Sequence, residues 1–496
     1  MIDIKHGIGG GNMKNILLVT SEAVPYMKTG GLADVVGSLP RYIDKEEYDI
    51  RVIMPKYACM DEAFLPNLKF LCHYYVDLNW RRQYAGIFIS EYKGITYYFV
   101  DNEFYFAGPT PYNQIYEDVE KFAFFSKAVI TGLPFIDFTP DILHCNDWQT
   151  GLVPVFLKTT FGGDPFYAGI KTIFSIHNLK FQGRWMLHEV KDITGLPEHI
   201  FNLDELEAYG EANYLKGGVV YADYVTTVSP SYAHDITTVE GGEGLEGVMY
   251  AKKDSLCGIL NGIDYDEYNP KTDPFMEENF DQKTVMTKKK KNKLALQRKW
   301  GLPQKENTFL IGIVSRMTEQ KGFDLIAYVL EEMLETMDVQ FVVLGTGETK
   351  YQEMFYYFQN KYPEKLSSYI GYSEEKAHQI YASCDAFLMP SQFEPCGLSQ
   401  MMSMRYGTVP IVRETGGLKD TVIPYNEYEN TGNGFSFANY NAHEMLGSIR
   451  YAQSVFTEDK KSWSQLMIRG MKEDFSWTKS SKEYQKLYDK LVENEI

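Results

Sequence analysis

Lys28-Thr29-Gly30-Gly31 follows an apolar run at residues 16–20 and leads into Leu32-Ala33-Asp34-Val35-Val36, the opening of a helix. Two glycines permit positive φ and close backbone approach, and the amides at a helix start favour an anion. Lys28 adds a compact positive charge beside them. That chemistry fits a phosphate. The motif is not a P-loop, in which lysine follows the glycines, and no G-x-G-x-x-G fingerprint opens the helix.

Four more loops carry reactive residue types just after apolar runs. His144-Cys145-Asn146-Asp147-Trp148-Gln149 sets a carboxylate beside an indole that suits a sugar face, although Asp147 could equally cap the next helix. His177 ends the run 171–176, where open α/β sheets bind ligands. Arg316 and Lys321 share one strand-to-helix loop, so a guanidinium fork and an ammonium can reach one diphosphate. The densest stretch places Glu394 between Phe393 and Pro395, then Cys396-Gly397-Leu398, with Thr415-Gly416-Gly417 following as a second helix start. Glu394 is placed to hydrogen-bond sugar hydroxyls, and the Gly416 and Gly417 amides to cradle an anion. No Asp-x-Asp pair or His–carboxylate cluster points to a metal. Charge on a departing diphosphate would fall to Arg316, Lys321 and helix ends.

The elements that must hold these loops recur in two series. Strand-like runs at 16–20, 50–54, 95–100, 142–145, 171–176 and 224–228 alternate with helix-like stretches; a second series follows at 309–314, 340–344, 368–370, 386–389 and 408–412. Such alternation predicts α/β domains with parallel sheets built from βαβ units. The series part near Asn261-Gly262, a turn signal, and the polar stretch after Pro270 reads as linker surface. Two doubly wound domains facing each other would gather both sets of loops at one cleft. The run Lys288 to Lys291 reads as a solvated helix face, given Leu294, Leu296 and Trp300 at helical spacing.

Bulk properties exclude several classes. A net charge of −18 disfavours nucleic acid and anionic membranes, so an anionic substrate needs a local cationic cluster. Six scattered cysteines without a C-x-x-C pair fit a reducing cytoplasm, and no apolar run is long enough to span a membrane. The Gly-rich residues 1–12 precede the first strand and read as a flexible extension.

At these loops the chain resembles the glycogen and starch synthases of glycosyltransferase family 5. The matching residues are 28–35, 144–149, 175–179, 259–264, 315–322, 394–398, 405–410 and 415–418, spread from Met13 to Trp477. A neighbouring retaining family carries a second Glu where Met402 stands here. The resemblance implies the GT-B fold, with an acceptor-side domain at 13–260, a nucleotide-sugar domain at 261–476, and a terminal helix at 477–496 packing back on the first domain. It implies retaining transfer of glucose from ADP-glucose to an α-1,4-glucan, as in glycogen, without metal or cofactor. Residue by residue, it puts Lys28, Arg316 and Lys321 on the diphosphate and His177 and Glu394 on the glucosyl unit. Tyr372 would stack near the base. The backbone at Gly30, Gly31, Cys396, Gly397, Leu398, Thr415, Gly416 and Gly417, with Asn261, would line the donor. Asp34, Asp147 and Trp148 match cleft positions on the acceptor side. Glu414 departs from the pattern, standing where many relatives carry Arg.

Two readings compete from other classes. A catalytically dead glucan-binding protein would be expected to lose Lys28, Arg316, Lys321 or Glu394, and all four are present. A nicotinamide dehydrogenase would need a third glycine in Gly345-Thr346-Gly347-Glu348-Thr349-Lys350. Within the transferases, UDP-glucose as donor or a small acceptor is the alternative, since aromatic stacking accepts any base.

Overall fold

The computed structural model describes residues 13–493; the Gly-rich stretch 1–12 lies outside the described residues. The chain divides into two units. One gathers residues up to Val228, Ala233–Ile259 and the C-terminal segment from Trp477; the other holds Ser229–Tyr232 and Leu260–Ser476.

In the first unit the strands are β1 (Lys14–Val19), β2 (Tyr48–Pro55), β3 (Lys69–Leu78), β4 (Arg81–Tyr92), β5 (Ile95–Asp101) and β6 (Ile142–Asn146). They continue as β7 (Lys171–Ile176), β8 (Arg184–Met186), β9 (Glu207–Ala208), β10 (Glu211–Asn213), β11 (Tyr224–Thr227) and β12 (Leu256–Gly258). The main sheet runs β12-β11-β7-β6-β1-β2-β5-β4-β3, and β8, β10 and β9 form a small separate one. Its centre is parallel because Ile16 to Val19 and Ile142 to Cys145 are buried on both faces, which only helix-covered strands allow. The expectation of a purely parallel sheet fails at one edge, where β3, β4 and β5 form antiparallel hairpins. The β4–β5 turn is Lys93-Gly94, both at positive φ (50° and 73°), a primed turn without the usual Asn-Gly signal.

The C-terminal helix Trp477–Val492 belongs to this unit. Tyr488 meets buried His144 at 2.9 Å, and Asp489 accepts from Lys14 and Tyr48. The His144 Nε2 side continues 2.6 Å to Ser175, so one polar chain links helix, β6 and β7 through an otherwise apolar core.

The second unit is six-stranded and parallel throughout: β13 (Phe309–Val314), β14 (Val339–Gly345), β15 (Leu366–Ile370), β16 (Ala386–Met389), β17 (Val409–Arg413) and β18 (Phe435–Phe437), in the order β15-β14-β13-β16-β17-β18. Three expectations about its periphery need correction, in whole or in part. The stretch after Pro270 is surface at Lys271, Thr272, Pro274, Phe275 and Glu277, but Asp273 is buried within it and accepts from Tyr406 and His378. Lys289, in the helix Val285–Lys299, is not solvated. It is 5% exposed and donates to the carbonyls of Tyr381, Ala382 and Tyr406 and to Thr408, and burial pushes its ammonium down to about 7. A charge run read along the sequence cannot reveal which lysine turns inward. Asn261-Gly262 likewise makes no turn; Asn261 is buried, and Ile263 bridges Ser476.

Candidate active site

Each main sheet reverses its strand order beside its first strand. β1 lies between β2 and β6, and β13 between β14 and β16. The crevice at the carboxyl ends of such a pair is where open α/β sheets hold ligands. Every loop singled out by residue chemistry in the first unit leaves β1, β6 or β7. In the second unit Arg316 and Lys321 follow β13, Glu394 follows β16, and Thr415 follows β17.

In the first unit the phosphate-type loop is held from behind by Glu22, a residue that motif reading passed over. Glu22 is 4% exposed, and its Oε2 accepts from the Thr29 amide at 2.5 Å and the Thr29 hydroxyl at 2.7 Å. Burial pushes its carboxyl up. Neither loop glycine has a positive φ, so left-handed backbone is not what they supply; Gly30 is extended, at φ −156°. A Cβ on Gly30 would approach only Glu22, at 3.8 Å. Internal packing therefore does not demand a glycine there, whereas a ligand lying on the backbone would. Lys28 is half-exposed and paired with Asp34 at 2.7 Å, which tempers its charge.

Asp147 does not cap the short helix after it. It sits at φ 56°, and its Oδ1 accepts from the His177 amide at 2.7 Å. Burial raises its carboxyl to about 7. His177 Nε2 lies 2.9 Å from Asn146 Oδ1, and the Asn146 amide group donates to the carbonyls of Val19 and His144. That fixes the Asn146 oxygen towards the ring, so Nε2 carries the proton and Nδ1 the lone pair. Burial lowers the imidazole to about 4, so it is neutral at pH 7. Trp148 is not the sugar platform expected of it. It is buried between Phe122 and Tyr214, and Gly183 at φ 62° exists to admit its ring, since a Cβ there would stand 2.2 Å away.

In the second unit, Lys321 and Glu394 form a short ion pair of 2.6 Å, with side chains 17% and 8% exposed. Ser391 donates to the same carboxylate oxygen at 3.0 Å. The two loops are pressed together: Gln392 donates to the Gln320 carbonyl, and a Cβ on Gly322 (φ 77°) would strike the Pro390 carbonyl at 2.1 Å. Arg413, at the end of β17, donates to the carbonyls of Ser391, Gln392 and Ala438 and clamps the Glu394 loop. Gly345 and Gly347 are explained by the same crowding. Side chains there would meet the Ser315 and Met317 carbonyls at 1.9 and 2.3 Å, so these glycines serve the Arg316 loop, not a dinucleotide.

Arg316 is exposed, and its guanidinium has no hydrogen-bond or ion-pair partner among the described residues. Tyr372 is 78% exposed, at the start of the loop after β15. The amides of Cys396, Gly397 and Leu398 have no acceptor among the described residues, while the Cys396 thiol is buried and pushed up to about 12. Asn261 packs against that thiol. The expected anion cradle at the second helix start is not built. The Thr415 amide donates to Arg413, and that of Gly417 to the Glu394 and Pro395 carbonyls. A Cβ on Gly416 or Gly417 would meet the Glu394 or Cys396 carbonyl at about 2 Å, at 2.2 and 2.0 Å respectively. These glycines support the Glu394 loop. Among the described residues, one group that could hold a cation is Glu267, Glu374 and His378, which shares none of these side chains.

The family model "Starch synthase catalytic domain" matches residues 15–251, and "Glycosyl transferases group 1" matches residues 293–461. The chain is 60% identical to a glycogen synthase of Lachnospira eligens over 97% of its own length and all of that protein. It is 57% identical to a glycogen synthase of Lachnoclostridium phytofermentans, again over 97% of this chain and 100% of the relative. Among solved structures, the catalytic domain of starch synthase IV from Arabidopsis thaliana, bound to ADP and acarbose, superposes with a TM-score of 0.89 at 31% identity, covering 98% of this chain and 100% of that one. The architecture is therefore GT-B, two Rossmann-like domains in one chain.

Proposed function

The chain belongs to the glycogen synthase family of glycosyltransferases, and from that premise we propose that it transfers glucose from ADP-glucose to the non-reducing end of an α-1,4-glucan, with retention and without a metal. The observation that carries the reading is the chemistry of the β13 loops. An exposed guanidinium without a partner among the described residues and a lysine paired with Glu394 stand in one loop, in a chain of net charge −18. Arg316 and Lys321 bind the donor diphosphate and neutralise charge as it departs, where water is excluded and their fields are strong. When the diphosphate draws on Lys321, Glu394 is left with Ser391 and turns its remaining acceptor capacity to glucosyl hydroxyls. Its negative charge also favours positive character on the sugar ring.

Neutral His177 accepts a hydroxyl proton at Nδ1, its ring orientation set by Asn146. Lys28 adds a weaker contact to the diphosphate, the extended Gly30 backbone leaves room for it, and Gly31 continues that approach. The Cys396, Gly397 and Leu398 amides, with Asn261 behind them, line the donor; Tyr372 stacks on the base. Asp34 and Asp147 order the acceptor side through Lys28 and the His177 loop. Thr415, Gly416 and Gly417 act by holding the Glu394 loop. A cytoplasmic location completes this reading; no described helix is long and apolar enough to cross a membrane.

The test is glucose incorporation into glycogen from ADP-glucose and UDP-glucose in parallel, with EDTA present. Incorporation from ADP-glucose that survives EDTA is expected. Preference for UDP-glucose, or activity only on a small acceptor, would refute the assignment.

A further inference from the structure

Away from these loops, the helix Glu374–Ser383 carries Glu374 and His378 four residues apart, on one face. The fold brings Glu267, more than a hundred residues earlier in sequence, to the same place. One ligand atom from each of the three lies within 4.8 Å of the others. The two glutamates are exposed and His378 is 2% exposed. Its ring is fixed by stacking on Tyr268 (centroids 4.8 Å, planes 15° apart) and by the edge of Phe275. His378 Nδ1 lies 2.8 Å from Asp273 Oδ2, which also accepts from the Tyr406 hydroxyl at 2.6 Å. Donation from Nδ1 to a carboxylate leaves the lone pair on Nε2. That Nε2 is buried and has no hydrogen-bond partner among the described residues.

A buried nitrogen without a partner is uncommon, and one on a ring backed by a carboxylate and grouped with two acids has the chemistry of a metal-ligating histidine. We infer that Glu267, Glu374 and His378 bind one divalent transition-metal cation of the zinc type, with Asp273 and Tyr406 as positioning residues. One imidazole and two carboxylates suit Zn²⁺ or Co²⁺; Mg²⁺ and Ca²⁺ prefer oxygen ligands throughout. Ligands about 2.0–2.2 Å from a tetrahedral zinc stand about 3.3–3.6 Å apart, so the exposed glutamates close on the ion by rotating inward. Three protein ligands leave a fourth position for water. The bound ion would tie the segment around Glu267 to the first turn of the helix, two residues beyond Tyr372. None of the residues proposed for glucosyl transfer takes part.

The experiment is calorimetry of full-length, chelator-stripped protein with ZnCl2, repeated with CoCl2 by visible absorption. One ion per chain and a rise in Tm with zinc are expected. In a Glu267→Gln/Glu374→Gln variant, affinity should fall more than tenfold and the Tm rise should vanish, while circular dichroism of the metal-free protein is unchanged. If the double variant does not fold, the two single variants carry the same comparison. Asp273→Asn should weaken binding about 10–100-fold, the usual cost of losing a carboxylate behind a ligating histidine. Failure of the wild-type chain to bind zinc, or equal binding by wild type and variant, overturns the assignment.

Discussion

The loops around β1 hold buried acids and a neutral ring, whereas the loop after β13 carries two cations, Arg316 and Lys321. In the first unit, Glu22 and Asp147 are desolvated carboxyls, His177 is uncharged, and the lysine of the phosphate-type motif is tied to Asp34. In the second, the Arg316 guanidinium has no partner among the described residues and Lys321 is paired with Glu394. Both sets hang from the same sheet topology. The scaffold thus supplies only the position, and the chemistry resides in loops after particular strands. In the proposed reading the first unit supplies His177 and one weak cation, Lys28, while the second supplies the main diphosphate contacts together with Glu394.

The largest effect that would sharpen this contrast is at Glu394. Glu394→Gln should lower kcat about 10²–10³-fold, the scale for losing one preorganised electrostatic partner, with ADP affinity nearly unchanged. A normal kcat with a raised donor KM would make Glu394 a binding residue only. Arg316→Ala follows, with kcat/KM for ADP-glucose falling about 10–150-fold, equivalent to about 1.5–3 kcal/mol for a hydrogen bond to a charged group. Steady-state kinetics on the folded variant measure it. Lys28→Ala should cost least in rate, roughly tenfold or less, because its exposed pair with Asp34 is already screened. A Lys28→Ala loss larger than that of Arg316→Ala would break the contrast.

In mildly acid solution a smaller effect shows in stability. His144 and His177 are held down to about 3 and about 4 by burial, while unfolded histidine titrates near 6.5. Between those values the unfolded chain binds protons that the folded chain refuses, so stability is full above about pH 6.5 and is lost as pH falls. Asp147, raised to about 7, opposes this, since it already holds its proton in the folded chain through that window. Tm against pH should therefore slope upwards from about pH 4 to 6.5, and His144→Gln should flatten it. An unchanged slope in that variant would mean that His144 does not set the acid response.

The parallel strands and the loops that follow them were legible because buried βαβ strands are short, apolar and punctuated by glycine. At the antiparallel edge β5 was legible as the run 95–100 but β3 and β4 were not, since they carry many exposed residues and Lys93-Gly94 lacks the usual turn residues. Within the site, residue type pointed to Lys28, His177, Arg316, Lys321 and Glu394, but not to their partners. Glu22, Asn146, Ser391 and Arg413 act through contacts that only the fold brings about. Glycine pairs misled in both directions: Gly416 and Gly417 are needed by neighbouring carbonyls, while Gly30 is needed by nothing inside the chain. Trp148 misled because an indole beside polar residues looks the same in sequence whether it faces solvent or core.

The division between the two sets of loops is tested most directly by ADP calorimetry on Arg316→Ala and His177→Ala side by side. Arg316→Ala should weaken ADP at least about tenfold, while His177→Ala binds ADP as the unaltered chain does yet turns over slowly. Equal loss of ADP affinity in both variants would contradict a diphosphate site carried by the β13 loops.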